Sequence, residues 1–325
     1  MFRKFLSLLT VLALLALPVA LAESTPVRVG ALKGPTAMGM VQMMENKAGA
    51  YDFTLAAAPD EIVPLLVKGE LDIAAVPANL GSVLYNNTQG AVKALAINTL
   101  GVLYILERGE DIQSVADLKG RTLYASGKGA TPEYALNYIL RGNGLDPEKD
   151  LTIEYKSEHA ECLAALLQDE SAVAMLPQPF ATVAQLKAKQ QDTPVELRLA
   201  LDLTEEWDAL QADSDAPSAL ITGVAVARAD FIEQNPDAVK QFMADYAESI
   251  AFTQDNAEDA AQLIGEFDIF EAAPALKALP YCSIVYIDGA EMAGKLAGYL
   301  AELYAQDPAA VGGALPDENL FFVAA

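Results

Sequence analysis

Histidine occurs once in 325 residues, cysteine twice and tryptophan once. One imidazole excludes the multi-histidine metal sites, and no H-E-x-x-H or G-x-S-x-G stretch marks a zinc or serine hydrolase. His159 and Cys162 stand at i, i+3, but two ligands are too few and lack the spacing of a known metal site. Basic residues are scarce as well: 21 Lys and Arg face 45 Asp and Glu, for a net charge of −24. That deficit excludes nucleic acid and anionic membrane as partners, since both need a basic surface. With so many carboxylates, no acid pair can be singled out as catalytic. No catalytic residue, metal or cofactor is therefore expected. Beyond the first residues no long hydrophobic run remains, because the most apolar stretch, Ala91 to Leu106, is interrupted by Lys93 and Asn98.

The first segment is different. Arg3 and Lys4 precede an apolar run from Phe5 to Leu21 that ends in Ala20-Leu21-Ala22. A positive start, a short apolar core and an A-x-A site predict a cleaved signal peptide over 1–22. A retained membrane anchor is the alternative. No Cys follows the run, so a lipid-attachment site is missing. Removing Arg3 and Lys4 takes the net charge from −24 to −26, for a periplasmic or extracellular protein. Export permits a disulfide, yet nothing in the sequence brings Cys162 to Cys282, and two buried free thiols are expected.

About 300 mature residues suggest two lobes, and the sequence echoes itself. "VRVGALKGPTAMGM" and "TLYASGKGATPEYAL" both run from a strand through K-G-x-T into a helix. Each is followed by a strand, a helix and a short apolar strand ending in Pro, at Pro77 in "DIAAVPAN" and Pro177 in "AVAMLPQP". Strands alternating with helices predict parallel α/β units. "ALAINTLGVLYILE" carries the chain across, and "SALITGVAVARADF" brings it back. The remainder is mostly helical, with Asn235-Pro236 as a cap and first helical position, a last helix over roughly 289–304 and an irregular tail. The expected lobes are 23–104 joined by 224–325, and an inserted 105–223, with crossovers near Gly101 and Gly223 as a two-segment hinge.

Ligands of open α/β sheets sit beyond the carboxyl ends of the strands, which is where both K-G-x-T turns fall. A helix start there offers unpaired N–H groups to an anion or a carbonyl oxygen. Gly34 and Gly129 let backbone approach closely, Thr36 and Thr131 can cap or donate, and Lys33 and Lys128 would add charge. Ordinary capped helix starts are the plainer alternative. Asn79 and Gln178, after the Pro-ended strands, are amides able to orient a small ligand; surface-loop residues are the alternative. His159, after the strand "LTIEY", is either a cleft contact or an ordinary residue at a helix start.

Several stretches in order, "KGELDIAAVPANLGSVLYN", "IQSVADLKGRTLYASG", "ILRGNGLDPEKDLTIEY", "LPQPFATVAQLK" and "GVAVARADFIEQNPDAVKQFM", resemble the nitrate/sulfonate/taurine type of ABC-transporter substrate-binding protein, the NMT1/THI5-like superfamily. The similarity covers nearly the whole mature chain. It implies a type II periplasmic-binding-protein fold, a small-molecule ligand clamped between two lobes, and delivery to an ABC permease in the membrane. By matching position it places Lys33, Gly34, Pro35, Thr36 and Ala37, then Pro77, Ala78 and Asn79, in the cleft. It adds Ser126, Gly127, Lys128, Gly129, Ala130 and Thr131, together with Thr222 and Gly223. Two departures stand out: Asp169-Glu170-Ser171-Ala172 where the family usually reads Gly-x-x-Asp, and Gln178 where Glu is frequent. Loss of that carboxylate tilts the expected ligand toward an anionic or carbonyl-rich molecule, held by a monomer that is not an enzyme. A neutral heterocycle stays open, as do a sensory protein that feeds no transporter and a pyrimidine-synthesis-type enzyme of the same superfamily.

Overall fold

The computed structural model describes residues 25–212 and 218–323; the expected signal peptide lies outside them. Strands β1 (Val27–Leu32), β2 (Tyr51–Ala56) and β3 (Ile73–Pro77) are short β-branched or alanine-rich runs. They pair in parallel, with Val27 opposite Tyr51 and Val29 opposite Ile73. Ile73, Ala74, Ala75 and Val76 are all fully buried, as expected of a parallel strand covered on both faces. The run β6 (Thr122–Ala125), β7 (Thr152–Tyr155) and β8 (Val173–Pro177) repeats the arrangement: β6 pairs in parallel with both others.

The echo extends to the antiparallel strands. β4 (Val92–Leu100), β10 (Ile221–Arg228) and β11 (Ile284–Asp288) complete a six-stranded sheet of order β11-β4-β10-β3-β1-β2. β5 (Leu103–Arg108) and β9 (Leu197–Asp202) complete a five-stranded sheet of order β7-β6-β8-β5-β9. In each, the strand beside the Pro-ended one arrives from the other sheet and runs antiparallel: Val224 faces Val76, and Leu103 faces Pro177. The chain passes from the first sheet to the second at Gly101-Val102 and returns after β9.

Helices cover both sheets. Three expectations need correction. The helix after Lys33 is two pieces, α1 (Pro35–Met38) and α2 (Val41–Asn46), broken at Gly39-Met40. Its methionines Met38, Met40 and Met43 are core residues. Gly223 lies inside β10, paired with Pro77 and Thr99, and is therefore not at a crossover. Asn235 precedes the long helix as expected, but its side chain bonds back to the Phe231 carbonyl and caps nothing.

Further along are α3 (Pro59–Lys68), α4 (Ala78–Asn87), α5 (Thr131–Gly142), α6 (His159–Gln168), α7 (Phe180–Lys189) and α8 (Leu203–Gln211). After β10 come α9 (Ala229–Gln234), α10 (Pro236–Asp255), α11 (Ala257–Glu266), α12 (Ala272–Ala278) and α13 (Gly289–Gln306). Trp207 on α8 is fully buried between Tyr138 of α5 and Tyr299 of α13, with ring centroids 4.2 and 5.8 Å away. One core therefore joins helices of both sheets. Asp72, buried at the start of β3, accepts from the Arg28 backbone and guanidinium and so ties β1 to β3. A second guanidinium, that of Arg228 on β10, lies 3.7 Å from the same carboxylate, so the buried charge is shared between two arginines. No helix among the described residues is long and apolar enough to cross a membrane.

Candidate functional site

The carboxyl edges of the two sheets meet. On the side of the six-stranded sheet lie the turn 33–36, Pro77-Ala78-Asn79, the loop 267–271 between α11 and α12, and Tyr281 after α12; on the side of the five-stranded sheet lie Tyr104 of β5, 126–131, His159 and 178–180. Contacts bridge the two sets. Thr131 Oγ1 donates to Asn79 Oδ1 at 3.3 Å, the Phe180 and Phe270 rings lie 6.1 Å apart, and the Tyr104 hydroxyl donates to the Tyr281 carbonyl at 3.1 Å.

The two K-G-x-T turns are not geometric copies. Gly34 has φ +126° and ψ −158°, a region essentially closed to residues with a side chain. In the second turn two glycines bracket the lysine, Gly127 at φ +79° and Gly129 at φ +74°. The lysines consequently diverge. Lys33 Nζ sits 2.6 Å from Asp268 Oδ2, whose carboxyl this pairing holds below its ordinary pKa. Lys128 is exposed and lies over the Tyr155 ring, in a groove of about 480 Å³ shared with Glu133, Asn137 and Arg141. The backbone donors are largely committed too. The N–H groups of Ala37 and Met38 bond to the Gly34 carbonyl, and that of Gly129 bonds to Glu133. With only four residues, α1 has no useful macrodipole.

The threonines serve the fold. Thr36 donates to the Leu32 carbonyl and Thr222 to the Leu100 carbonyl, at 2.8 and 2.5 Å. Thr131 also receives a bond from the buried Tyr299 hydroxyl. Asn79 donates to the Ala310 carbonyl. Ala78 is buried at the start of α4, Ala130 occupies the position before α5 without a side-chain bond to it, and Pro35 opens α1. His159 opens α6, with Nδ1 2.6 Å from Ser126 Oγ and its ring 4.7 Å from that of Phe180. Burial lowers its pKa, so the imidazole is neutral.

Gln178 is not a surface-loop residue; it is 1% exposed. Its backbone N–H bonds to Val102 at the crossover, and its Oε1 accepts from both the backbone and the hydroxyl of Thr182 on α7. Its Nε2 is buried without a partner. Asn98 repeats this on the other side and was not expected from sequence. It is 1% exposed, its Oδ1 accepts from Thr99, and its Nδ2 has no partner. Asn98 lies close enough to the Tyr246 hydroxyl to oppose slightly the rise in pKa that burial causes there, but forms no bond to it. The pairing of β10 with β4 skips Asn98, since Gly223 faces Thr99 and Val224 faces Ile97. Such bulges re-aim a side chain. The available signal was a lone amide inside an apolar strand, three residues before the crossover.

No cluster of three or more His, Cys, Asp or Glu able to hold a metal occurs among the described residues. Both thiols are buried and free; burial pushes Cys162 up to about 11 and Cys282 to about 12, which makes them inert.

Residues 39–276 match the family described as ABC transporter, phosphonate, periplasmic substrate-binding protein. No curated protein matches the chain by sequence. Among solved structures it is similar to an ABC transporter protein from Parabacteroides distasonis, at 24% identity and TM-score 0.75 over 92% of this chain and 99% of that one. The aliphatic sulphonate binding protein SsuA from Escherichia coli is 19% identical at TM-score 0.70, covering 92% of each chain. The nitrate-binding protein NrtA from Synechocystis PCC 6803 is 15% identical at TM-score 0.60, over 88% of this chain and 82% of that one. These likenesses give the fold. The family match covers well over half of the sequence, and this chain belongs to the periplasmic substrate-binding proteins of ABC importers, which bind a small ligand for a membrane permease and are not enzymes.

Proposed function

We propose that the space between the two carboxyl edges holds the ligand, and that the lobes, 23–104 with 224–325 and the inserted 105–223, adjusted so that 103–104 go with β5 and 221–223 with β10, close on it as a clamp. The two short passages between sheets would serve as the hinge. The observation that carries this reading is the set of contacts across the edges, Asn79 to Thr131, Phe180 to Phe270 and Tyr104 to Tyr281. Export would remove residues 1–22 and release a monomer that hands a carbonyl-rich or anionic solute to its permease. Lys33, Gly34, Pro35, Thr36 and Ala37 form one lip. Gly127, Lys128, Gly129 and Ala130 form the other. Pro77, Gln178, Thr222 and Gly223 belong to the floor.

Small-angle scattering tests the clamp. Protein loaded from a cell extract should have a smaller radius of gyration than the same protein stripped by unfolding and refolding. An identical profile for the two would contradict closure. The solute released on denaturation should be chemically unchanged.

A further inference from the structure

The donors left over in the cleft state what the ligand must be like. A buried polar group without a partner costs about 1–3 kcal/mol, so the groups left unpaired mark where a ligand is due. Four hydroxyls around the floor are committed, Thr36 to Leu32, Thr222 to Leu100, Thr99 to Asn98 and Thr131 to Asn79, while the buried hydroxyls of Thr204, beside Gly101, and Tyr155 have no partner. What remains is neutral. Asn98 Nδ2 and Gln178 Nε2 are buried and unpaired, and the Ser126–His159 pair keeps one proton to give.

The lysines add no charge to the floor. Lys33 is matched by Asp268, and Lys128 lies in the outer groove beside Glu133. An oxyanion closed into this space would surrender its hydration to two or three neutral donors, with no facing cation among the described residues, inside a protein of net charge −24. Burying an unpaired charge is far more costly than burying a carbonyl that is hydrogen-bonded. The two amides suit acceptors, since the carbonyl end of each is already engaged, by Thr99 and by Thr182.

We propose that the ligand is an uncharged carbonyl compound, of the amide, urea or lactam class, which accepts hydrogen bonds from Asn98 and Gln178. This rests on the cleft reading above and selects the carbonyl-rich over the anionic solute.

The test is capture. Purified protein is incubated with a small-molecule extract of cells, washed and denatured, and the released compound is identified by mass spectrometry and anion-exchange retention at pH 7. The same is done with Gln178→Glu and Asn98→Asp. Each keeps an accepting oxygen and replaces the N–H donor, but an ionised carboxylate also adds a charge, so Gln178→Met and Asn98→Leu, which remove the donor without adding charge, are compared alongside. Folding is checked by circular dichroism, and Gln178→Glu serves if Asn98→Asp does not fold. An uncharged carbonyl compound is expected, with capture reduced at least about tenfold in the variants. A compound anionic at pH 7 overturns this inference while leaving the clamp intact. An uncharged compound whose capture ignores the substitutions overturns the assignment of the donors. Nothing captured by folded protein overturns the cleft reading itself, and this inference with it.

Discussion

Replacing Gly223 by alanine probes how tightly the floor is built. Gly223 sits in β10 between Pro77 and Thr99. A β-carbon there would lie 2.3 Å from Asn98 Oδ1, 2.8 Å from Thr36 Cγ2 and 3.0 Å from Thr99 Oγ1. None of these is a loose chain end, because Asn98 is held by Thr99 and Thr36 by Leu32. The strand and the first turn must shift together. Overpacking of this kind costs about 1–3 kcal/mol, or several degrees in melting temperature at roughly 2–4 °C per kcal/mol. Affinity should fall too, since Asn98 is displaced. Urea unfolding and ligand titration measure both, with Gly49→Ala as control, because an added β-carbon there meets nothing within 4 Å. If Gly223→Ala unfolds with wild-type stability and binds as well, the packing at the floor is not as derived.

Lys33→Ala removes only an exposed partner of Asp268, a carboxyl that is 94% exposed. Stability should move by less than about 1 kcal/mol, and affinity by less than about tenfold; a larger loss on titration would return the lysine to the ligand. Asp245 meets a burial that alone would raise its pKa, but bonds with Tyr51, Gln241 and Lys47 outweigh it and hold the pKa below the ordinary value. A depressed folded pKa gives stability that is present above the unfolded value of about 3.9 and lost as pH falls through the folded one. The urea midpoint of wild type should therefore decline below about pH 4 more steeply than that of Asp245→Asn. Native protein should resist a thiol reagent at pH 8 and titrate two thiols once unfolded; rapid native modification would contradict the burial of Cys162 and Cys282.

Much of the architecture was legible because it is written twice. Strand, turn, helix, strand, helix and Pro-ended strand recur at Lys33 and Lys128, and both sheets follow that order. The long helix after Asn235 and the helix from Gly289 were also readable, the latter running two residues beyond the expected end. β9 and β11 were not, being short edge strands whose partners lie far away in sequence. At the cleft, identical letters misled. Lys33 precedes one strained glycine, Gly34, and Lys128 sits between two, so equal motifs direct their lysines differently. Asn98 escaped notice because it reads as an interruption of an apolar strand, and only the bulge shows where it is aimed. Gln178 stood out by position, but its burial depends on Val102 and Thr182, which are distant or silent in a linear reading.

The most direct measurement is a crystal structure of the protein loaded with the solute captured from cell extract. Density should lie between the carboxyl edges of the two sheets, with acceptor atoms about 2.7–3.2 Å from Asn98 Nδ2 and Gln178 Nε2. Density in the groove of Lys128 and Arg141, with the space between the sheets filled only by water, would contradict the clamp.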